Sequence, residues 1–287
     1  MKSSMYSLSA LTSALLLLSA AANAQTAGKN LALDFKTTVS VQGMPDTGVI
    51  QGHAVGSADK MRLDVTMKGS GAQVSPLASD SVVTIIVSDS GKTITYVDAK
   101  KNQFIRVRPS EMLAQAQQTG QMKMEFSGTQ ATVDNLGAGP TILGHPTSHY
   151  RMATAMTMSI SAMGQEQSAK LSSSTDYYFA TDISGALNPF ASITGTDMVG
   201  MFGGTSKEFG DKMKAAQNKL PKGTPLRANS VSTIVAQGQT QVRTTHAEVT
   251  AVKWVNADPK VFEVPAGATP VQMPGMGDSA GGAIPPR

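Results

Sequence analysis

Residues 30–42 read Asn30-Leu31-Ala32-Leu33-Asp34-Phe35-Lys36-Thr37-Thr38-Val39-Ser40-Val41-Gln42, and this alternation decides the fold. Leu31, Leu33, Phe35, Val39 and Val41 fall on one side of an extended chain, with Asp34, Lys36, Thr38 and Ser40 on the other. Successive side chains of a strand point to opposite faces, so the spacing predicts a ribbon with one buried face. The same period returns at Met61, Leu63, Val65 and Met67, with Arg62, Asp64, Thr66 and Lys68 between them. A turn at 43–48 and a short strand over 49–55 join these two ribbons, which makes an antiparallel start the simplest outcome.

Further strands are predicted over 82–87, 93–98 and 103–108, separated by Asp89-Ser90-Gly91-Lys92 and Ala99-Lys100-Lys101-Asn102, the spacing of a meander. Pro109 and Ser110 open a short helix through Gln118, closed by Gly120. Met122, Met124 and Phe126 resume period two, and strands follow over 147–159, 170–180, 227–236 and 239–255. Asn188-Pro189 has the form of a helix start, limited by Gly195. The clearest helix spans 206–220: Thr205 and Glu208 fit a capping box, and Phe209, Met213, Ala216 and Leu220 form an apolar stripe that Pro221 ends. The sum is one α+β domain, mainly β, with about ten strands in an antiparallel sheet and two or three helices.

The ends carry a different signal. One positive charge at Lys2, an apolar run over 8–22 and Ala22-Asn23-Ala24 describe a secretory signal peptide over residues 1–24. No later segment reaches the roughly 18 apolar residues of a membrane span, so no transmembrane segment is expected in the mature chain. The expected compartment is the periplasm, or the exterior of a cell with a single membrane. With no cysteine among 287 residues, disulfides, thiolate metal sites and cysteine nucleophiles are excluded, and core packing must hold the domain together. A net charge of +4 without any Lys or Arg run argues against nucleic acid as a partner. Residues 268–287 hold Gly, Pro, Ala and Met with almost no charge or periodicity and are expected to form a flexible tail, leaving the domain at 25–267.

Two stretches carry a family resemblance: Ile142-Leu143-Gly144-His145-Pro146-Thr147-Ser148-His149-Tyr150, and the run from Lys222-Gly223-Thr224-Pro225-Leu226 to Phe262-Glu263-Val264-Pro265-Ala266-Gly267. They resemble an uncharacterised family of exported bacterial domains with the outer-membrane lipoprotein carrier fold. The resemblance implies a curved antiparallel half-barrel wrapped over helices and, by analogy, a place for acyl chains or other apolar groups between the concave sheet face and the helices. Ala268 stands where that pattern has an aromatic residue.

Methionine is the unusual component, at 17 residues against five tyrosines and one tryptophan. Unbranched thioethers adapt to irregular shapes, so a Met-rich core suits either plain packing or a flexible apolar ligand. Met122 with Met124, Met156 with Met158, and Met273 with Met276 also place soft ligands close together, the arrangement a Cu(I) site would use. His145 and His149 have helical i, i+4 spacing, but Pro146 makes the segment a turn, so no metal site is assigned. No nucleophile elbow, zinc-protease motif, P-loop or dinucleotide fingerprint occurs, and a hydrolase would need an Asp, Ser and His assembled in space.

The residues therefore point to a non-catalytic protein with no cofactor. Its expected partner is a lipid or other hydrophobic ligand, or an envelope protein. The expected ligand site is the concave face with Phe35, Leu63, Val65, Met122 and Met124, lidded by Phe209, Met213 and Leu220. If those side chains interdigitate, the protein is instead a structural or interaction module.

Overall fold

A computed structural model describes residues 29–44, 48–57, 59–68, 83–89, 92–118, 122–162, 165–183 and 206–271. Among the described residues twelve strands form a single sheet: β1 (Asn30–Val41), β2 (Gly48–Gly56), β3 (Met61–Lys68), β4 (Val83–Ser88), β5 (Thr93–Asp98), β6 (Gln103–Val107), β7 (Met122–Ala138), β8 (Thr147–Ala162), β9 (Gln165–Ala180), β10 (Thr224–Ala236), β11 (Gln239–Val255) and β12 (Thr269–Pro270). Helix α1 (Pro109–Gln118) follows β6, α2 (Lys207–Gln217) precedes β10, and a 3₁₀ turn (Pro259–Phe262) follows β11.

The spatial order is β12-β6-β5-β4-β3-β2-β1-β11-β10-β9-β8-β7, antiparallel throughout except for the parallel β12–β6 pair. Two meanders are thus joined where β1 meets β11, with Leu31 opposite Trp254 and Val41 opposite Arg243. β6 and β7 lie ten strand spacings apart, about 48 Å if the sheet were flat. The connection from Val107 to Met122 holds the ten-residue α1, about 15 Å long, and four further residues that even at full stretch could add less than about 20 Å. That reach is too short for a flat sheet. The sheet must curl until its two ends approach each other, yet β7 and β6 do not pair and no barrel closes.

Register assigns each residue to one of two faces. One carries Leu31, Leu33 and Phe35 with Ala54, Leu63, Val65, Val83 and Ile85, and continues through Val249, Ala228, Tyr177, Met152 and Met156 to Phe126 and Met124. These residues belong to one buried cluster, which also takes in Phe209, Met213 and Ala216 of α2. Phe35 crosses β2 at Gly52, where a Cβ would come within 2.7 Å of its ring. The opposite face is polar over much of its area, but over β4 and β5 it is buried. After Val255 the chain crosses it: Arg62 Nη1 donates to the Val261 carbonyl at 3.2 Å, Thr269 N to the Asn102 carbonyl at 2.9 Å and Val271 N to the Phe104 carbonyl at 2.8 Å. This strap explains why β4, apolar on both faces in sequence, is buried on both faces in the fold.

Several expectations need correction. The sheet has twelve strands, not about ten. β7 continues well past Phe126 to Ala138, because bulges between Ser127 and Gln130 and between Asn135 and Gly137 shift the face and disguise the period. Pairing also runs beyond the expected domain end at Gly267, into Thr269–Pro270. Helix α2 is capped by Ser206, whose Oγ accepts from Phe209 N at 3.3 Å, instead of by Thr205. The helix stops at Gln217, so Leu220 lies past its end. The helix expected at Asn188-Pro189, the signal peptide expected over 1–24 and all but the first four residues of the expected tail lie outside the described residues.

Candidate functional site

The expected ligand residues do come together. Phe35 is 2 % exposed, Leu63 1 %, Val65 1 %, Met124 8 %, Phe209 0 % and Met213 2 %, all in the one core cluster, and Leu220 packs half-buried against it. Met122 is paired in backbone register with Ala162. Phe209 stacks on Phe126 with centroids 4.7 Å apart, which seats α2 on β7, and Lys212 Nζ donates to the Thr129 carbonyl at 2.9 Å. The methionines considered for copper sit here too: Met124 and Met156 are buried, and Met158 lies opposite Phe126. Met273 and Met276 lie outside the described residues.

Sequence reading missed the other face. There β8, β9, β10, β11 and β1 place His149, Tyr178, Arg227, Glu248 and Lys36 in one cross-strand row. The His149 and Tyr178 rings stack at 4.5 Å, and the Arg227 guanidinium carbon lies 5.8 Å from the centre of the Tyr178 ring, within cation–π range. One step along the strands, Asp176 receives Arg151 Nε at 2.9 Å and Nη2 at 3.1 Å and lies 3.0 Å from His149 Nε2. Burial pulls the Asp176 carboxyl up, but the hydrogen bonds and charges of Arg151 and His149 outweigh it and hold the group below its ordinary value.

Each histidine has its own partner. His53 Nδ1 is 2.6 Å from Asp34 Oδ1, His145 Nδ1 is 2.8 Å from Asp182 Oδ2, and His246 Nδ1 is 2.5 Å from Asn229 Oδ1. His145 and His149 do not converge, and among the described residues no group of three His, Asp or Glu side chains could hold a metal ion. His149 and Asp176 form the kind of pair a hydrolytic triad needs. Among the described residues, however, the side-chain partners of His149 are Asp176 and Tyr178, neither of them a serine. Lone acids on polar strand positions gave only a faint signal. The available hint was His149-x-Arg151 and Asp176-x-Tyr178, two period-two pairs on strands consecutive in the chain.

No family model matches the chain, and no curated protein matches it. Among solved structures, a DUF1329 family protein from Desulfovibrio piger aligns over 88 % of this chain and 96 % of its own length, at 7 % identity and a TM-score of 0.23. A likeness that low carries no argument about fold or activity. No described helix is long and apolar enough to cross a membrane.

Proposed function

We propose that this chain is a non-catalytic, exported periplasmic protein that works as an interaction module through its surface, its core filled by its own side chains. The observation that carries this reading is the burial of Phe209, Leu63, Val65, Phe35 and Met213 in one continuous cluster of the protein's own side chains. A cavity wide enough for an acyl chain would leave its lining accessible from within, whereas interiors packed to normal density do not. The signal-peptide pattern read over 1–24 supports export, and a mainly antiparallel sheet that does not close into a barrel, with a helix against its buried face, is the arrangement the resemblance implies.

A second reading, an acyl-chain carrier, has one observation in its favour. Met61, Met124, Met152, Met156 and Met213 all belong to the core cluster, and such side chains can repack around an inserted chain. Native mass spectrometry of protein purified from the envelope separates the two. The interaction module gives the mass of the polypeptide alone and no thermal shift with fatty acids or phospholipids. A co-purifying lipid, with a melting temperature raised by that lipid, would overturn it in favour of the carrier.

A further inference from the structure

The row His149–Tyr178–Arg227–Glu248–Lys36 is better built than a solvated strand face requires. Arg227 is half-buried, and its Nε is enclosed without a hydrogen-bond partner. The acid beside it in register, Glu248, is turned instead toward His246, with Oε2 3.5 Å from Nε2. Among the described residues, Arg227 and Lys36 have no acidic partner within ion-pair distance, and the Tyr178 hydroxyl makes no hydrogen bond. With Nε enclosed, it is the two Nη groups at the end of the guanidinium, left without an acid, that can offer parallel N–H donors to an oxyanion.

The row is also pre-positioned. Tyr178 is held between the His149 ring and the Arg227 guanidinium, and Gly139 lies so close that a Cβ there would meet Tyr178 Cδ1 at 2.9 Å. Three register shifts border the row: at Asn135/Gly137 in β7, at Pro225/Arg227 in β10 and at Asp34/Phe35 between β1 and β11. Bulges re-aim the side chains that follow them, and the one in β10 sets the direction of Arg227 itself. Asp176, the nearest acid on β9, is already taken up by Arg151 and His149, so it opposes an incoming anion little.

We propose that this row is a binding site for a phosphate group, with the Arg227 fork and the Tyr178 hydroxyl donating to its oxygens and Lys36 supplying a second positive charge. A carboxylate would satisfy the fork but leave the hydroxyl and the ammonium without acceptors, which favours a tetrahedral oxyanion. The site lies on the face opposite the core, so it holds whether or not the core opens to a lipid.

The test has two arms on the purified protein. Inorganic phosphate is titrated while the His149 and Tyr178 side-chain resonances are followed by NMR, with acetate as the comparison anion. Sedimentation with phosphatidylglycerol vesicles, against phosphatidylcholine vesicles, then separates a lipid headgroup from a free phosphate compound. We expect a saturable shift with phosphate, or sedimentation with the anionic vesicles, that Arg227→Gln abolishes and Lys36→Gln weakens about tenfold. Arg227→Lys keeps the charge without the fork; it should bind more weakly with unchanged near-ultraviolet circular dichroism, and it serves if the glutamine variant misfolds. Absence of both responses, an acetate response equal to that of phosphate, or binding unaltered by Arg227→Lys would overturn the proposal.

Discussion

Phe209 of α2 lies nearly flat on Phe126 of β7, with ring planes 19° from parallel, and this stack is how a helix made far along the chain is seated on an edge strand. Among the described residues β7 is the last strand of the sheet and has a neighbour on one side only. The helix therefore covers apolar surface that no further strand would hide. Removing the Phe209 ring should leave a cavity and cost about 3–5 kcal/mol. Denaturant unfolding of Phe209→Ala should show that loss with the slope unchanged, whereas Lys207→Ala, in an exposed ion pair with Asp211, should change stability by less than about 0.5 kcal/mol. Equal effects of the two would remove α2 from the cooperative core.

Gly52 is required for space. It lies opposite Phe35 in register, and a Cβ there would also come within 2.9 Å of the Asp64 carbonyl, a backbone atom that cannot swing aside. Gly52→Ala should destabilise by about 1–3 kcal/mol as an overpacked site. Thermal unfolding of Gly52→Ala beside Phe35→Leu/Gly52→Ala tests the cause: the smaller side chain should recover part of the loss.

Asp64 links stability to acid. Burial pulls its carboxyl up, yet hydrogen bonds from Arg62 and Thr84 and the charges of Arg62 and His53 more than offset this and hold it below the ordinary 3.8. A depressed folded value means stabilisation that is complete above the unfolded value and is lost as pH falls through the folded one. The protein should therefore lose stability below about pH 4, and Asp64→Asn should flatten that acid limb while lowering stability at neutral pH. Urea midpoints measured across that range would show it; parallel curves for the two proteins would count against the assignment.

Asn102 holds the end of the strap. Its Nδ2 donates to the Gly267 carbonyl at 2.8 Å, its own carbonyl accepts from Thr269 N, and its φ of +52° is a left-handed turn conformation that asparagine tolerates. Asn102→Gly keeps the turn and removes the side-chain bond. Hydrogen exchange should then quicken at the Thr269 and Val271 amides while amides in β1 and β11 keep their protection. Unchanged exchange at Thr269 would mean the two β12–β6 hydrogen bonds suffice alone.

Much of this architecture was readable along the chain. β11 runs over Gln239–Val255 as its apolar period demands, and Gln237-Gly238, both at positive φ, make the tight turn from β10. The Phe209, Met213 and Ala216 stripe is buried as helical spacing requires. The failures have local causes. Gly128 and Gly137, both at positive φ, lie within or beside the bulges that hid the length of β7, and a two-residue strand such as β12 has no period to detect.

What alternation determined was which residues turn inward, because that depends only on neighbours two positions away and on the transfer of apolar surface out of water. What only the tertiary structure decided was which strands meet. The pairing of β1 with β11, the curl forced by the short β6–β7 connection, and the row that brings His149, Tyr178, Arg227, Glu248 and Lys36 together all join residues far apart in the chain. Their register is set by bulges and by burial of the whole face at once, which no local stretch of sequence records.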